Sequence, residues 1–308
     1  MNLTNLAKFL SICTITIVFA FLINNYLTYA GDWPGPLSFS KSFNFFSLTQ
    51  LVIYILAIFF PIFFLKFYGN NFNLLELADI FEGINGFIIR FGFWAVLIIG
   101  VIDATISLMI IEGFLEDLIG RERNIKLLNN SFWAPYVHFQ LLLISLFFAS
   151  YFKSLNFYWL AFLVVIAEFQ IVVLRFVFSY EQTLMSDLVR FWYGSLFLFG
   201  SYYTLIKDGH VRVDVLYTNF SRKNKAKVNL FGSLILGIPL CLTIFFRGMA
   251  CKQCVLNQPI INFETSQSTQ GMNIKYLMAG FLIIFALTML IQFIVFSLRS
   301  LKIIKEEN

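Results

Sequence analysis

Four sets of residues in this chain could do chemistry. His138 and His210 are its two histidines, and imidazoles are the usual ligands of haem iron and of zinc. Cys251-Lys252-Gln253-Cys254 has C-x-x-C spacing, which in an oxidising compartment suggests thiol redox exchange. Asp103 and Glu168 stand inside long apolar runs, where a carboxylate is costly and an ion or proton relay is the first function to consider. Arg175, Glu181, Asp187 and Arg190 crowd around one short polar break between apolar runs. No G-x-S-x-G, H-E-x-x-H or phosphate-loop pattern accompanies any of them.

The elements that position these residues follow from composition. The 308 residues are 59% hydrophobic and only 13% charged, with 40 Phe against 17 Asp plus Glu. A soluble domain carries about 25% charged residues, so a water-soluble enzyme and a disordered regulator are both excluded. A bilayer is the solvent that fits. Its core, about 30 Å thick, takes roughly 20 apolar residues per helix. Eight stretches qualify: Leu6–Leu22, Leu48–Leu65, Phe87–Ile111, Tyr136–Phe152, Leu155–Phe178, Leu188–Ile206, Val228–Phe246 and Tyr276–Leu298. They lack the alternation of a membrane barrel. The fold class is therefore an all-α integral membrane protein with about eight transmembrane helices.

Orientation follows from the basic residues flanking the spans. Arg212, Arg222, Lys223, Lys225 and Lys227 fall between spans six and seven, and Arg299, Lys302 and Lys305 follow span eight. Counting back puts Lys153, Lys66 and Lys8 on the same side, so both termini are expected in the cytoplasm. The net charge of +5 is modest and gathers at helix ends, which points to the lipid bilayer rather than nucleic acid as partner. The chain divides near residue 150, into a region 1–150 with about four spans and a region 151–308 with four more.

On this topology His138 and His210 lie a bilayer apart and share no haem or metal. A thiol oxidase needs a second cysteine pair on the same side, whereas Cys13 and Cys241 sit in separate spans, so a local disulfide or two unrelated thiols is the plainer reading. Asp103 and Glu168 read as isolated carboxylates that fix helix packing. In the polar break, Asp187 can cap the sixth helix, Arg190 stands within i,i+3 reach of it, and Arg175 can pair with either acid. The cluster has no nucleophile and reads as structural.

Leu174-Arg175-Phe176-Val177-Phe178, then Asp187-Leu188-Val189-Arg190-Phe191, then Gly200, and finally Lys207-Asp208-Gly209-His210-Val211-Arg212-Val213-Asp214 resemble the small permease subunit, DctQ type, of TRAP transporters. The basic stretch Ser221–Lys227 and Glu264-x-Ser266 add to the likeness, which covers about residues 155–300. The leading 150 residues lie outside the family pattern. The resemblance implies a tripartite, sodium-driven importer. In it a periplasmic binding protein delivers an organic acid, a large permease subunit carries substrate and sodium, and this chain braces that subunit without a cofactor or enzymatic activity of its own. Arg175, Glu181, Asp187, Arg190, His210, Arg212 and Asp214 then become structural or interface candidates, with His210 and Asp214 holding the exit of span six. Two other classes remain beside it: a membrane thiol-redox protein using Cys251 and Cys254, and an assembly or sensor protein on the same fold. The extra spans are expected to enlarge the lipid-facing brace.

Overall fold

A computed structural model describes residues 3–40, 43–69, 72–127, 129–153, 158–206, 217–265 and 272–307. Among them there are helices and turns but no strand. Eight long helices dominate: α1 Leu3–Tyr29, α2 Phe45–Tyr68, α3 Leu74–Ile111, α4 Ala134–Tyr151, α5 Tyr158–Phe178, α6 Thr183–Ile206, α7 Arg222–Gly248 and α8 Lys275–Glu306. Seven are long and apolar enough to cross a membrane. The exception is α6, expected as a full span. Its 24 residues would reach about 36 Å at 1.5 Å per residue, but Asp187, Arg190 and a series of Ser, Tyr and Gly residues dilute its apolar character. It buries Leu184, Leu188, Phe191, Ser195, Phe199 and Tyr202 in one stripe, the i, i+3/i+4 spacing of a helix enclosed by protein on that face.

Local chemistry sets the helix ends. Asn44 caps α2 by accepting the Phe46 N–H at 3.0 Å. Asn73 accepts the N–H groups of Leu75 and Glu76 at 2.8 and 2.9 Å, while the Glu76 carboxylate accepts the Asn73 N–H at 2.8 Å, a reciprocal capping box. Ser221 caps α7. Gly113 adopts φ 79° just past the end of α3, a conformation only glycine takes without strain. α4 opens on a π turn, Ala134–His138, and α7 contains another, Gly232–Gly237, ahead of Pro239; proline has no N–H to give the preceding turn, and a wide turn absorbs the gap.

The chain packs as two compact units. The first comprises Met1–Asn85, Arg212–Asn257 and Met289–Asn308. Within it α1 and α2 are joined by buried polar groups: Asn24 and Gln50 each donate to the other's backbone carbonyl, Gln50 also donates to the Thr28 hydroxyl at 2.8 Å, and the Thr16 hydroxyl donates to the Ala57 carbonyl at 2.8 Å. In lipid such bonds join helices because water offers no competing partner. Asn25 and Tyr29 donate to the carbonyls of Met249 and Ala250, each at 2.6 Å. A side chain at Gly237 would strike the Phe293 ring at 2.6 Å. At the other end of this unit Lys8 donates to the carbonyls of Gly69 and Phe72, Lys223 to that of Glu307, and Arg299 pairs with Asp79 and Glu82.

The second unit comprises Gly86–Val211 and Gln258–Thr288. Its core joins Val96 and Ile99 of α3 to Phe191, Trp192 and Phe199 of α6 and Phe281 of α8. Gly92 and Gly100 let α3 approach Phe199 and Trp192, whose indole N–H donates to the Val96 carbonyl at 3.2 Å. Around this core α5 stays largely exposed, with Phe162, Val165, Phe169 and Phe176 each more than half accessible, as suits a helix meeting lipid or another protein.

Candidate functional site

The densest buried polar chemistry lies at one end of the second unit, where α3 approaches its end and α4, α6 and α8 begin. Asp103 sits eight residues before Ile111, about 12 Å from the end of α3, and its side chain is fully buried. One carboxylate oxygen accepts the backbone N–H of Asn273 at 3.1 Å. The other lies 3.5 Å from Nε2 of His138, which the π turn of α4 places there at 1% exposure. Nδ1 of His138 meets the hydroxyl of Tyr276, in the first turn of α8. His138 Nδ1 and the Tyr276 hydroxyl are thus hydrogen-bonded, whereas His138 Nε2 and the nearer Asp103 oxygen face each other at 3.5 Å without a hydrogen bond to any described residue.

A second carboxylate works on the adjacent amide. Asp187, 4% exposed, accepts the Met272 N–H at 3.1 Å and lies 3.6 Å from the exposed Arg190 guanidinium. Two acids from two helices thus hold consecutive N–H groups of the strand of chain entering α8. They satisfy donors that would otherwise be stranded away from water and set negative charge at the positive end of the α8 dipole. Just upstream, Glu264 pairs with Lys275 at 2.7 Å and its carbonyl accepts the Tyr276 N–H at 3.0 Å. Every one of these contacts positions the start of α8, and the cluster offers neither a nucleophile nor, among the described residues, a set of three metal ligands.

The expected site residues distribute as follows. Arg175 pairs with Glu181 at 3.4 Å, both well exposed, so this is a surface pair. Asp187 was expected to cap α6 but does not: that helix already starts at Thr183, and the buried carboxylate accepts the Met272 N–H instead. His210, Arg212 and Asp214 lie outside the described residues. Nearby, the Tyr180 hydroxyl donates to Glu112, which pushes the tyrosine above its ordinary pKa because the bond and the adjacent negative charge both favour the protonated form.

Of the two intramembrane carboxylates, Asp103 is not isolated, whereas Glu168 is exposed near the middle of α5. Cys251 and Cys254 are joined to each other, and Asn257 ties their loop by donating to the carbonyls of Met249 and Cys251. The Asp103–His138–Tyr276 chain was missed from sequence. Its one signal is depth: on alternating spans, a residue two turns before the end of the third and one near the start of the fourth reach the same level.

Residues 161–302 match the family model of tripartite ATP-independent periplasmic transporters, DctQ component. No curated protein and no solved structure matches the chain. The matched segment takes in most of α5, all of α6 and α7 and most of α8, and Asp187 with the amide it accepts falls inside it. Asp103 and His138 come from the additional helical region that precedes it.

Proposed function

We propose that this chain, whose residues 161–302 form the DctQ small permease domain of a TRAP transporter, serves as the scaffold subunit of a sodium-driven importer of an organic acid or related small solute. The family is a non-enzymatic, multi-pass permease component, and it implies a tripartite complex with a large permease subunit and a periplasmic binding protein. In our reading the large subunit holds the substrate and sodium sites, the membrane is the bacterial inner membrane, and both termini face the cytoplasm. Residues 1–150 are an N-terminal extension and 151–308 the small permease domain. Arg175, Glu181 and Arg190 face the outer surface where other subunits arrive, and His210, Arg212 and Asp214, outside the described residues, stay interface candidates on the family resemblance alone.

One observation supports the scaffold reading above all. The buried carboxylates Asp103 and Asp187 are committed to backbone amides of residues 272–273. A carrier needs convergent donors left open for its substrate, often at broken helices; a brace needs its polar groups spent on holding helices in place. The test is reconstitution in liposomes under a sodium gradient. Uptake should need this chain, the large permease and the binding protein together. Uptake by this chain alone would refute the scaffold role, and full uptake without it would refute any role.

A further inference from the structure

The basic end of the first unit contains a cavity of about 560 Å³ where α1 and α3 begin and α8 ends. Thr4, Lys8, Asn73, Glu76, Lys302 and Lys305 supply its polar lining, and Phe72 and Leu74 its apolar wall. Lys8 is the telling residue, because a lysine only 7% exposed is rare. Two of its three N–H donors go to the Gly69 and Phe72 carbonyls, which leaves the full positive charge and one donor at the cavity. The two acids beside it are already engaged: Glu76 in the capping box of α3 and the partly exposed Glu306 with Lys302 at 3.1 Å. Lys305 has no hydrogen bond or ion pair to any described residue. Three lysines against two engaged acids give a pocket with surplus positive charge and an apolar side, set at helix ends.

We propose that this cavity seats the headgroup phosphate of an anionic phospholipid. Phosphate oxygens suit the ammonium groups of Lys8 and Lys305, with the Lys302–Glu306 pair beside them, and the glycerol and acyl ends suit Phe72 and Leu74. Basic pockets between membrane helices act this way, and each lysine near the surface adds measurably to the attraction. The site is independent of the transport reading, since it belongs to the first unit and makes no use of the carboxylate cluster.

The experiment uses the purified full-length chain, delipidated in a neutral detergent and titrated with dioleoylphosphatidylglycerol, dioleoylphosphatidylcholine or inorganic phosphate. Thermal unfolding and lipid retained in mass spectra are the readouts. Phosphatidylglycerol should raise the unfolding midpoint saturably and be retained, and the other two should do neither. Lys305→Glu should weaken the phosphatidylglycerol effect about tenfold or more. Lys66→Glu, the same charge change at an exposed lysine outside the cavity, should leave it unchanged. Lys8→Met should abolish it as well as lowering the lipid-free midpoint, since the lysine also holds two carbonyls; the Lys305 variant therefore decides. Equal protection by inorganic phosphate would overturn the lipid as source, and equal protection by phosphatidylcholine would overturn the anion requirement. A Lys305→Glu chain that keeps the full effect, or a Lys66→Glu chain that loses as much, would overturn the site.

Discussion

Asp103 offers the sharpest perturbation, because two variants of nearly equal size separate its possible roles. Asp103→Ala removes the acceptor of the Asn273 N–H at 3.1 Å and the neighbour of His138 Nε2 at 3.5 Å. The Asn273 N–H would lose its acceptor, so the loss should reach about 1–3 kcal/mol, a sizeable part of the 5–15 kcal/mol that typically separates folded from unfolded chains. Asp103→Asn keeps one oxygen for the Asn273 amide. Its NH₂ can face Nε2 if the imidazole proton moves to Nδ1, where the Tyr276 oxygen accepts it. The cost should then stay near 1 kcal/mol, one exchanged neutral hydrogen bond.

The assay is thermal unfolding of the purified chain in a mild detergent, with and without Tyr276→Phe. In the double variant of Asp103→Asn with Tyr276→Phe the relayed proton has no acceptor, so its loss should exceed the sum of the two single losses. Equal, large losses for Ala and Asn would show that the negative charge itself matters and refute the amide-holding argument. Neutral behaviour of both would show that the start of α8 is held by Asp187 alone.

The remaining perturbations probe packing, topology and surface. Gly100→Ala would push a methyl group into the Trp192 indole and should cost about 1–3 kcal/mol, whereas Gly280→Ala meets open space and should leave the unfolding midpoint unchanged or slightly raised. Arg175→Ala breaks an exposed pair and should change the stability of the isolated chain by less than about 1 kcal/mol; a clear fall in co-purified large permease would then mark Arg175 as a contact to that subunit. Reporter fusions after Lys227 and Lys305 should behave as cytoplasmic and one after Glu264 as periplasmic, and a periplasmic signal at Lys227 would reverse the assigned orientation. Glu168→Leu should leave the midpoint of the isolated chain unchanged or raised, since it removes an exposed carboxylate from the middle of an apolar helix; a marked loss would reveal a partner within the chain.

Apolar runs long enough to cross a bilayer identify themselves, which is why the helical class and nearly all span positions could be read from sequence. α6 was the harder case: Asp187, Arg190 and its Ser, Tyr and Gly residues leave it less apolar than the other seven long helices, although a stripe of Leu184, Leu188, Phe191, Phe199 and Tyr202 is buried. The polar break was legible as a cluster but not as contacts. Sequence proximity suggested that Asp187 serves its own helix, and yet Met272, 85 positions away, receives it. Partners at such separations are set by which helices pack together, a tertiary property that no local spacing encodes. The same holds for Asp103 and His138, which looked single because each was judged along its own span.

The leading residues, expected to widen a lipid-facing brace because they are apolar and poor in motifs, also make contacts of their own. Residues 86–111 of α3 and all of α4 belong to the same compact unit as α5 and α6, and Asp103 and His138 meet Asn273 and Tyr276 at the start of α8, next to the Met272 amide that Asp187 accepts. Exposed apolar area could be added or removed with little effect on the rest, since lipid and protein solvate it alike. A buried acceptor is different: deleting it strands the amide that it served. The preceding region is therefore joined to the segment matched to the family by the hydrogen bonds of Asp103 to the Asn273 amide and of His138 to the Tyr276 hydroxyl. A chain beginning after residue 150 should consequently fold less well than the full chain, even though it keeps the whole segment matched to the family.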